Sequence, residues 1–313
     1  MSQKVAVIAI GGNSLIKDKA HQTVADQYQA AKETCINIAD LMEEGWNVIV
    51  THGNGPQVGF ILLRSELSKG VLHEVPLDAC GADSQGAIGY HIQQNLQNEL
   101  TRRGVPKPVA TIVTQVVVDK DDPSFVKPTK PIGPFYSEEE ARTAEAEKGW
   151  AVSEDAGRGW RRVVASPLPE RIVELEAIRT LVNAGVSVIA VGGGGIPVIE
   201  DDGQLTGVAA VIDKDRASAL LANKLEATHF IISTAVEKVA INFGKPDQQD
   251  IDEMTVAQAK DYMTQGHFAP GSMKPKIQSA IDFIEGGGQR VIITIPSKLL
   301  DAVHGKTGTH LVP

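Results

Sequence analysis

Short apolar segments alternate with longer segments of helical periodicity along nearly the whole chain. The apolar segments predict β-strands over residues 4–10, 47–51, 109–118, 186–191, 228–233, 238–242 and 290–295. Periodic apolar positions predict helices over residues 82–103, 169–184, 214–226 and 272–286. Strands that are apolar throughout and alternate with helices indicate a mainly parallel sheet covered on both faces. The pattern therefore predicts an α/β fold.

The segment between the first two strands shows the helical pattern clearly. Apolar or small side chains recur there at spacings of three and four, at Tyr28, Ala31, Cys35, Ile38 and Met42. This spacing places them on one face of a helix. A glycine, Gly45, follows the last of them and is expected to end the helix.

Residues 119–165 interrupt the alternation of strands and helices. They contain four prolines, the charged run EDAGRGWRR and only one short helical stretch, EEEARTAEAEKG. We predict that this segment is a small protruding lid subdomain, inserted within a single domain that spans residues 1–313. The alternative is a passive surface insertion.

Charge and composition exclude several classes of function. The 313-residue chain has a formal net charge of -9 and no block of Lys or Arg, so nucleic acid is not an expected partner. No apolar segment approaches the roughly 20 residues of a membrane span, and the first residues do not resemble a signal peptide. The two cysteines form no C-x-x-C pair, and a reduced thiol is expected for Cys35. We therefore expect a soluble, cytoplasmic protein.

Three of the predicted strands end in glycine clusters. The first ends in Gly11-Gly12-Asn13, the second in Gly53-Asn54-Gly55, and a third in the run 192–195. The carboxyl ends of parallel strands meet at one edge of a sheet. Bare backbone N–H groups at such an edge form a site for an anion. One glycine pair is explained by a tight turn, but three clusters at one edge favour the approach of a ligand.

Two familiar phosphate-binding motifs do not fit these clusters. A dinucleotide fingerprint requires a third glycine where the chain has Val58. A P-loop is suggested by Gly305-Lys306-Thr307, but its first glycine is replaced by Leu300. The expected anion site therefore belongs to neither motif.

Three lysines stand in unusual sequence contexts. Lys130 lies between prolines in PTKPIGP, and Lys214 and Lys276 lie at predicted helix starts. A lysine at a helix N-terminus opposes the helix dipole, so its presence there points to an anionic partner. Phosphoryl transfer needs cations where negative charge accumulates between donor and acceptor. These lysines are therefore candidates for such a reaction.

The residues around these lysines allow several interpretations. Asp213 either caps a helix or takes part in the site, and Asp215 is suited to orient a lysine ammonium group. His52 has no neighbouring serine or carboxylate that would indicate a triad, so we interpret it as structural. Three arginines of the predicted lid either contact a substrate or only keep the lid soluble, namely Arg158, Arg161 and Arg162. No Cys/His cluster has metal-ligand spacing, so a metal is expected as Mg²⁺ on nucleotide phosphates.

Nine stretches between residues 11 and 277 resemble the carbamate kinases of the amino acid kinase superfamily. They are GGNS, THGNGPQVG, SQGAIGYHIQQ, TQVVVDKDDPSFVKPTKPIGPF, EDAGRGWRRVVASP, GGGGIPV, AVIDKDRAS, INFGKP and GHFAPGSMKPKI. The resemblance implies an open three-layer αβα sandwich with a mainly parallel sheet, a protruding subdomain and a homodimer. It also implies Mg²⁺-dependent phosphoryl transfer between carbamoyl phosphate and ADP, giving ATP and carbamate, and a role in arginine metabolism.

The resemblance also implies roles for individual residues. Catalytic roles fall on Lys130, Lys214 and Asp215. Residues implied for binding the acyl phosphate are Gly11, Gly12, Asn13, Gly53, Asn54, Gly55, Gly193 and Gly194. Residues implied for binding the nucleotide are Asp213, Thr234, Ala235, Val236, Phe243, Pro270, Met273 and Lys276. The chain departs from the family pattern at Ser14, Ala235 and Phe243. Two alternatives stay open: a paralogue acting on a related small carboxylate or carbamoyl compound, and a non-catalytic nucleotide-binding regulator.

Overall fold

The computed structural model describes residues 4–12, 15–16, 18, 20–155 and 159–313. Its strands, in chain order, are β1 (Val5–Ile10), β2 (Asn47–His52), β3 (Val109–Thr111), β4 (Gln115–Val118), β5 (Lys130–Tyr136), β6 (Ala151–Glu154), β7 (Trp160–Val164), β8 (Pro169–Ile172), β9 (Ser187–Ile189), β10 (Ile196–Asp201), β11 (Gln204–Gly207), β12 (His229–Ser233), β13 (Val239–Ile241), β14 (Gln249–Ile251), β15 (Glu253–Thr255), β16 (Arg290–Thr294) and β17 (Thr309–Val312). Its helices are α1 (Val24–Glu43), α2 (Gly55–Leu67), α3 (Leu77–Arg103), α4 (Pro123–Val126), α5 (Glu138–Lys148), α6 (Leu175–Asn183), α7 (Lys214–Lys224), α8 (Val256–Thr264), α9 (Met273–Glu285) and α10 (Leu299–Val303). Within those ranges no helix is both long and apolar enough to span a bilayer.

The central sheet contains eight strands in the order β15-β17-β16-β12-β1-β2-β9-β3. All pairs from β16 to β3 are parallel, and only the β16–β17 pair is antiparallel. The predicted mainly parallel sheet is therefore confirmed. In its middle, the last residue of β1, Ile10, pairs with His52 on one side and Ser233 on the other.

The side chains of β1 show how the sheet forms the middle of three layers. Val7 and Ala9 join an apolar cluster with residues of α6, α7 and α9, whereas Ala6, Ile8 and Ile10 join a cluster with α1, α3 and α10. Successive strand residues point to opposite faces, so a strand buried on both faces has an unbroken apolar sequence. This explains why the strand sequence does not alternate with polar residues.

The predicted lid segment contains a small sheet of its own. Strands β5, β7 and β6 form a three-stranded antiparallel sheet, with α5 between β5 and β6 in the chain. A capping box formed by Ser137 and Glu140 begins α5, and Gly149 in the left-handed conformation ends it. The lid packs on α2, where a Cβ atom added to Gly59 would lie 3.2 Å from the Cα atom of Gly133.

The prediction of one strand over residues 109–118 is wrong. The chain forms β3 in the central sheet, leaves it, and then forms β4 in a second sheet of order β11-β10-β4-β8. Gln85 of α3 accepts a hydrogen bond from the Thr114 backbone N–H (2.7 Å) and donates to the Thr114 carbonyl oxygen (3.0 Å). The side chain of Gln85 thus provides the backbone hydrogen bonds that a neighbouring strand would otherwise make with Thr114. The periodicity of the sequence does not reveal this break in the strand.

The prediction of one helix over residues 169–184 is also wrong. Residues 169–172 form β8, which pairs with β4, and only the later part forms α6. The carboxylate of Glu174 accepts hydrogen bonds from the backbone and side-chain amides of Gln115 and so separates the two elements. The strand predicted over 238–242 exists as β13, but it pairs only with β14, outside the central sheet. Outside residues 119–165, the elements that the sequence did not predict include α2, α8, α10, β10, β11, β14, β15 and β17.

Candidate active site

A cavity of about 1240 Å³ lies between the carboxyl ends of the central strands and the lid. Most of the predicted site residues line it, namely Gly11, Gly12, Gly53, Asn54, Gly55, Lys130, Gly193, Asp213, Lys214, Asp215, Thr234, Ala235, Pro270 and Lys276. Open parallel sheets bind ligands at this edge. The fold therefore brings the glycine clusters and the three lysines to one place.

Two carboxylates hold the three lysines in the cavity. Lys214 Nζ lies 2.5 Å from one oxygen of Asp215, and Lys276 Nζ lies 2.9 Å from the other. Lys130 Nζ, which belongs to the lid, lies 2.9 Å from Asp213. Each ammonium group is thereby fixed by a charge-assisted hydrogen bond before any ligand binds.

Asp213 caps a helix and also contacts one of the three predicted site lysines. One of its oxygens accepts hydrogen bonds from the backbone N–H groups of Asp215 (3.0 Å) and Arg216 (3.4 Å), which makes it the N-cap of α7. The other oxygen accepts the hydrogen bond from Lys130. The residue that caps α7 therefore also binds Lys130 at the start of β5.

The charges of the lysines keep the two carboxylates ionised. Burial alone would raise the pKa of Asp215, but Lys214 and Lys276 hold it well below its usual range. Burial also opposes ionisation of Asp213, yet Lys130 leaves its pKa lowered. Burial lowers the pKa of Lys214, and the negative charge of Asp215 opposes this effect. The site is therefore a closely packed set of alternating charges.

Three helices begin at this cavity, and two of them have no side-chain cap. Neither Asn54, at the start of α2, nor Ser272, at the start of α9, makes a capping hydrogen bond with its side chain. Asn54 instead donates to Ser84 Oγ (2.8 Å). First-turn N–H groups without caps, together with the positive end of the helix dipole, favour a bound anion. The start of α2 was missed in the sequence, although Pro56 near a helix start was a usable signal.

The first two glycine clusters differ from the third in what surrounds them. A Cβ atom added to Gly12 or Gly55 would meet no atom within 4 Å, and one on Gly53 would lie 3.5 Å from the Lys214 stem and 3.9 Å from the Gly12 backbone nitrogen. Gly11 is more confined, because its Cβ would lie 3.0 Å from the Ser233 carbonyl oxygen. In contrast, a Cβ on Gly193 would lie 2.0 Å from Asn54. The protein itself therefore fills the space beside Gly193, whereas the space beside Gly12, Gly53 and Gly55 is open.

The prediction that all three glycine clusters leave the backbone accessible to a ligand is wrong for residues 192–195. Gly194 and Gly195 have φ of +100° and +90°, and added Cβ atoms there would meet Ile212 and Val116. Such φ values favour glycine whatever the ligand. Packing and backbone conformation thus require this cluster, and only Gly193 of the four lines the cavity.

The open space beside Gly12 and the filled space beside Gly193 predict different effects of alanine substitutions at the two positions. Gly12→Ala should fold with a free energy of unfolding within about 0.5 kcal/mol of wild type, because its Cβ meets open space. It should nevertheless raise KM for the substrate that approaches the loop. Gly193→Ala should lower the free energy of unfolding, because its Cβ overlaps Asn54. Urea unfolding and steady-state kinetics of both variants check this, and equal stability losses would contradict it.

Some predicted residues do not line the cavity. They are Gly194, Val236, Phe243 and Met273. The side chain of Phe243 is 67% exposed. Their roles in binding stay predictions. Asn13 and Arg158 lie outside the described residues.

The cavity also contains four further charged residues, namely Asp155, Arg161, Arg216 and Lys274. For Arg161 a substrate contact was one of two alternatives left open by the sequence, and the other three were not assigned to the site. Among the described lining residues, six cationic side chains face three carboxylates, although the whole chain is acidic. Lys274 had a usable signal, since it lies two residues before Lys276 at the same helix start.

The structure supports a structural role for His52. It is buried, and its Nδ1 donates to the Gly53 carbonyl oxygen (3.0 Å). Burial lowers its pKa to about 4. The unfolded state binds a proton below about pH 6.5 and the folded state only below about 4, so His52 makes stability fall as pH drops through this window.

We therefore expect His52→Asn to reduce the acid sensitivity of the fold. Between pH 7 and pH 5 the loss of unfolding free energy should be about 2 kcal/mol smaller than in wild type. Urea unfolding at both pH values measures it. His229, whose pKa burial also lowers to about 4, remains in both proteins as a common background. Identical pH dependence of the two proteins would contradict the assignment.

Comparison with known proteins agrees with this geometry. The amino acid kinase family profile matches residues 4–294. A carbamate kinase of Thermococcus kodakarensis is 51% identical over 312 residues, covering 99% of both chains. The carbamate kinase-like protein YahI of Escherichia coli is 50% identical over 314 residues, again covering 99% of both. The structure of carbamate kinase from Giardia lamblia bound to AMP-PNP matches with a TM-score of 0.93 and 42% identity, over 99% of each chain.

Proposed function

The chain belongs to the amino acid kinase family, and we propose that it transfers a phosphoryl group reversibly between carbamoyl phosphate and ADP, giving ATP and carbamate. The observation that carries this proposal is the convergence of Lys130, Lys214 and Lys276 in one cavity, each held by a carboxylate. A kinase of this type needs fixed cations around the transferred group more than it needs covalent chemistry. The similarity to carbamate kinases over the full chain length supports the choice of substrate.

The acyl phosphate binds where the first two glycine clusters meet the start of α2. The backbone at Gly12, Gly53 and Gly55 is open to a ligand, and the N-terminus of α2 favours an anion there. Lys130 reaches the same space from the lid. The phosphate of carbamoyl phosphate is therefore bound by backbone N–H groups and covered by an ammonium group.

The nucleotide binds at the other end of the cavity, beside the start of α9. Pro270 and Lys276 lie on this side, and Thr234 and Ala235 follow β12 at the sheet edge. The uncapped N-terminus of α9 and the ammonium group of Lys276 favour the ADP phosphates. A matching carbamate kinase of known structure was solved with the nucleotide analogue AMP-PNP, which supports a nucleotide as one of the two substrates.

In the reaction, a terminal oxygen of ADP attacks the phosphorus of carbamoyl phosphate. The bond between phosphorus and the acyl oxygen breaks, carbamate leaves with the bonding electrons, and ATP forms. Lys130 and Lys214 lie where negative charge accumulates on the transferred group and the leaving oxygen. Asp215 keeps Lys214 oriented and so acts through it.

Mg²⁺ enters this scheme as part of the substrate MgADP. Among the described residues no group of three His, Cys, Asp or Glu side chains is placed to hold a metal ion. The carboxylates of Asp213 and Asp215 already accept hydrogen bonds from lysines. Mg²⁺ commonly binds through substrate phosphates with few protein ligands, so this donor set fits a metal–nucleotide complex.

A second candidate is a related enzyme with a different small acyl substrate. The relative YahI is described only as carbamate kinase-like, yet it is about as similar to this chain as the named carbamate kinase. A second candidate function is therefore the same phosphoryl transfer with another small carboxylate as substrate. A non-catalytic regulator is disfavoured because all three lysines are present and reach the cavity.

One assay separates these possibilities. Purified protein is mixed with MgADP and either carbamoyl phosphate or acetyl phosphate, and ATP is measured with a coupled luminescent readout. The proposal expects ATP from carbamoyl phosphate and its loss on addition of EDTA. ATP from acetyl phosphate alone would favour the paralogue, and ADP binding without ATP formation would favour the regulator.

The resemblance further suggests a cytoplasmic homodimer, which we retain as part of the proposal. Sedimentation equilibrium of the purified chain should give twice the monomer mass of 33.4 kDa. A monomer at micromolar concentration would contradict it.

A further inference from the structure

The lid contributes a charged pair to the cavity that the proposed phosphoryl transfer leaves unused. Arg161 Nη1 donates to Asp155 Oδ2 over 3.1 Å, and both residues line the cavity. Their side chains are only 20% and 16% exposed. A largely buried pair in a substrate cavity has lost most of its hydration, so its hydrogen-bonding groups discriminate strongly between ligands.

Three contacts fix the guanidinium group of Arg161. Besides Asp155, it donates through Nη2 to the Gly133 carbonyl oxygen (3.0 Å) and lies 5.1 Å from the centre of the Phe135 ring. Each of its two amino groups has a second N–H hydrogen available. A donor group that is already fixed loses little entropy when a ligand binds.

The packing of the lid places this pair beside the acyl phosphate end of the cavity. Gly133, which holds Arg161, is in backbone contact with Gly59 in the second turn of α2. The start of the same helix, at Gly55, lines the cavity next to the glycine loop. Arg161 is therefore linked through Gly133 to the second turn of α2, the helix whose start forms the proposed acyl phosphate site.

We propose that Asp155 and Arg161 determine specificity by recognising the carbamoyl group, an inference that rests on the proposed function. A carbamoyl group has an amino group that donates hydrogen bonds and a carbonyl oxygen that accepts them. The carboxylate of Asp155 accepts from the amino group, and Arg161 donates to the carbonyl oxygen. Acetyl phosphate has a methyl group in place of the amino group, so it leaves a largely buried carboxylate without this partner.

The other two carboxylates of the cavity have different partners. Asp215 accepts hydrogen bonds from two lysines, and Asp213 caps α7 and binds Lys130. Among the described lining residues, Asp155 is the carboxylate that belongs to the lid, and it is paired with a guanidinium.

The test is the ratio of kcat/KM for carbamoyl phosphate to kcat/KM for acetyl phosphate, measured with MgADP. Arg161→Gln and Asp155→Asn should each lower this ratio by roughly 10- to 100-fold, the usual effect of losing a hydrogen bond to a charged group. If acetyl phosphate turnover is too slow, its inhibition constant against carbamoyl phosphate replaces its kcat/KM. Circular dichroism confirms folding, and Arg161→Lys, which keeps the charge, is a second variant if Arg161→Gln does not fold.

Arg162→Gln is the matched control. Arg162 is the next residue of the same strand, but it lies over the Trp150 ring and does not line the cavity. Its substitution should leave the ratio unchanged.

If the pair only holds the lid in place, both substrates lose activity equally and the ratio is unchanged, which overturns the inference. Wild-type activity in all variants also overturns it. A wild-type protein that does not use carbamoyl phosphate overturns the proposed function first, and this outcome is visible before any variant is made.

Discussion

Replacing Lys214 by alanine should lower kcat by about 10²- to 10³-fold, the usual effect of removing one preorganised donor from a charged transition state. Its ammonium group lies in the cavity, fixed by Asp215, and its side chain is 14% exposed. The fold should survive, because Asp215 keeps its second partner, Lys276. Steady-state kinetics with carbamoyl phosphate and MgADP, together with circular dichroism, measure both effects.

Lys306→Ala is the matched control for this prediction. Lys306 belongs to the incomplete P-loop sequence near the C-terminus, is 65% exposed and pairs only with Asp301 at 3.4 Å among the described contacts. Its removal should leave kcat and the KM for ADP nearly unchanged. A severe loss in Lys306→Ala with normal turnover in Lys214→Ala would show that the phosphate site has been wrongly assigned.

Replacing Asp215 by alanine should have a larger effect, because it damages stability as well as catalysis. The carboxylate is buried and holds two ammonium groups, which would then lie close together without a counter-charge. Removing one partner of a buried ion pair typically destabilises by about 3–5 kcal/mol. Turnover should fall at least as far as in Lys214→Ala, because Lys214 loses the group that orients it. Urea unfolding at pH 7 and kinetics measure the two effects.

The stability effect of Asp215 should depend on pH in a defined direction. The pKa of Asp215 is lowered in the folded state, so its contribution is fully present above the unfolded value of about 3.9 and is lost as pH falls below it. The difference between wild type and Asp215→Ala should therefore be constant from pH 7 to about 5 and shrink below about 4. Asp301→Ala, which removes an exposed carboxylate, should stay within about 0.5 kcal/mol of wild type. Equal stability of Asp215→Ala and Asp301→Ala would contradict the account.

Local patterns correctly predicted five strands of the central sheet, β1, β2, β9, β12 and β16, and the helix starts at Lys214 and Lys276. The unbroken apolar run of β1 indicated a strand buried on both faces, and Lys214 and Lys276 stood out because a lysine at a helix start opposes the dipole. These signals depend on a few consecutive residues. They are therefore visible in the sequence alone.

Pairings between distant residues could not be predicted in the same way. Lys130 pairs with Asp213, 83 residues further along the chain, and Lys276 pairs with the Asp215 carboxylate across 61 residues. The sequence predicted an orienting role for Asp215 toward Lys214, but it did not reveal that one carboxylate serves two lysines. Such a pairing depends on how α7, α9 and the lid pack, and periodicity carries no information about it.

The same limit explains the errors in the fold and at the third glycine cluster. The break at Thr114 is caused by the side chain of Gln85, which lies 29 residues earlier in the chain. The glycines at 192–195 are required by their neighbours from other parts of the chain, which are His52, Asn54, Ile212 and Val116. A glycine needed for packing and a glycine needed for a ligand are identical in the sequence, and only the neighbouring atoms distinguish them.

The central claim is that Lys130 and Lys214 contact the transferred phosphoryl group and that Lys276 contacts the ADP phosphates in the same cavity. Its most direct test is a crystal structure of the protein with MgADP and aluminium fluoride, which mimics the phosphoryl group during its transfer. The account predicts that the fluoride ligands lie within hydrogen-bond distance of the Nζ atoms of Lys130 and Lys214, with the ADP phosphates beside Lys276. A complex in which the mimic binds elsewhere, while these lysines contact only Asp213 and Asp215, would contradict it.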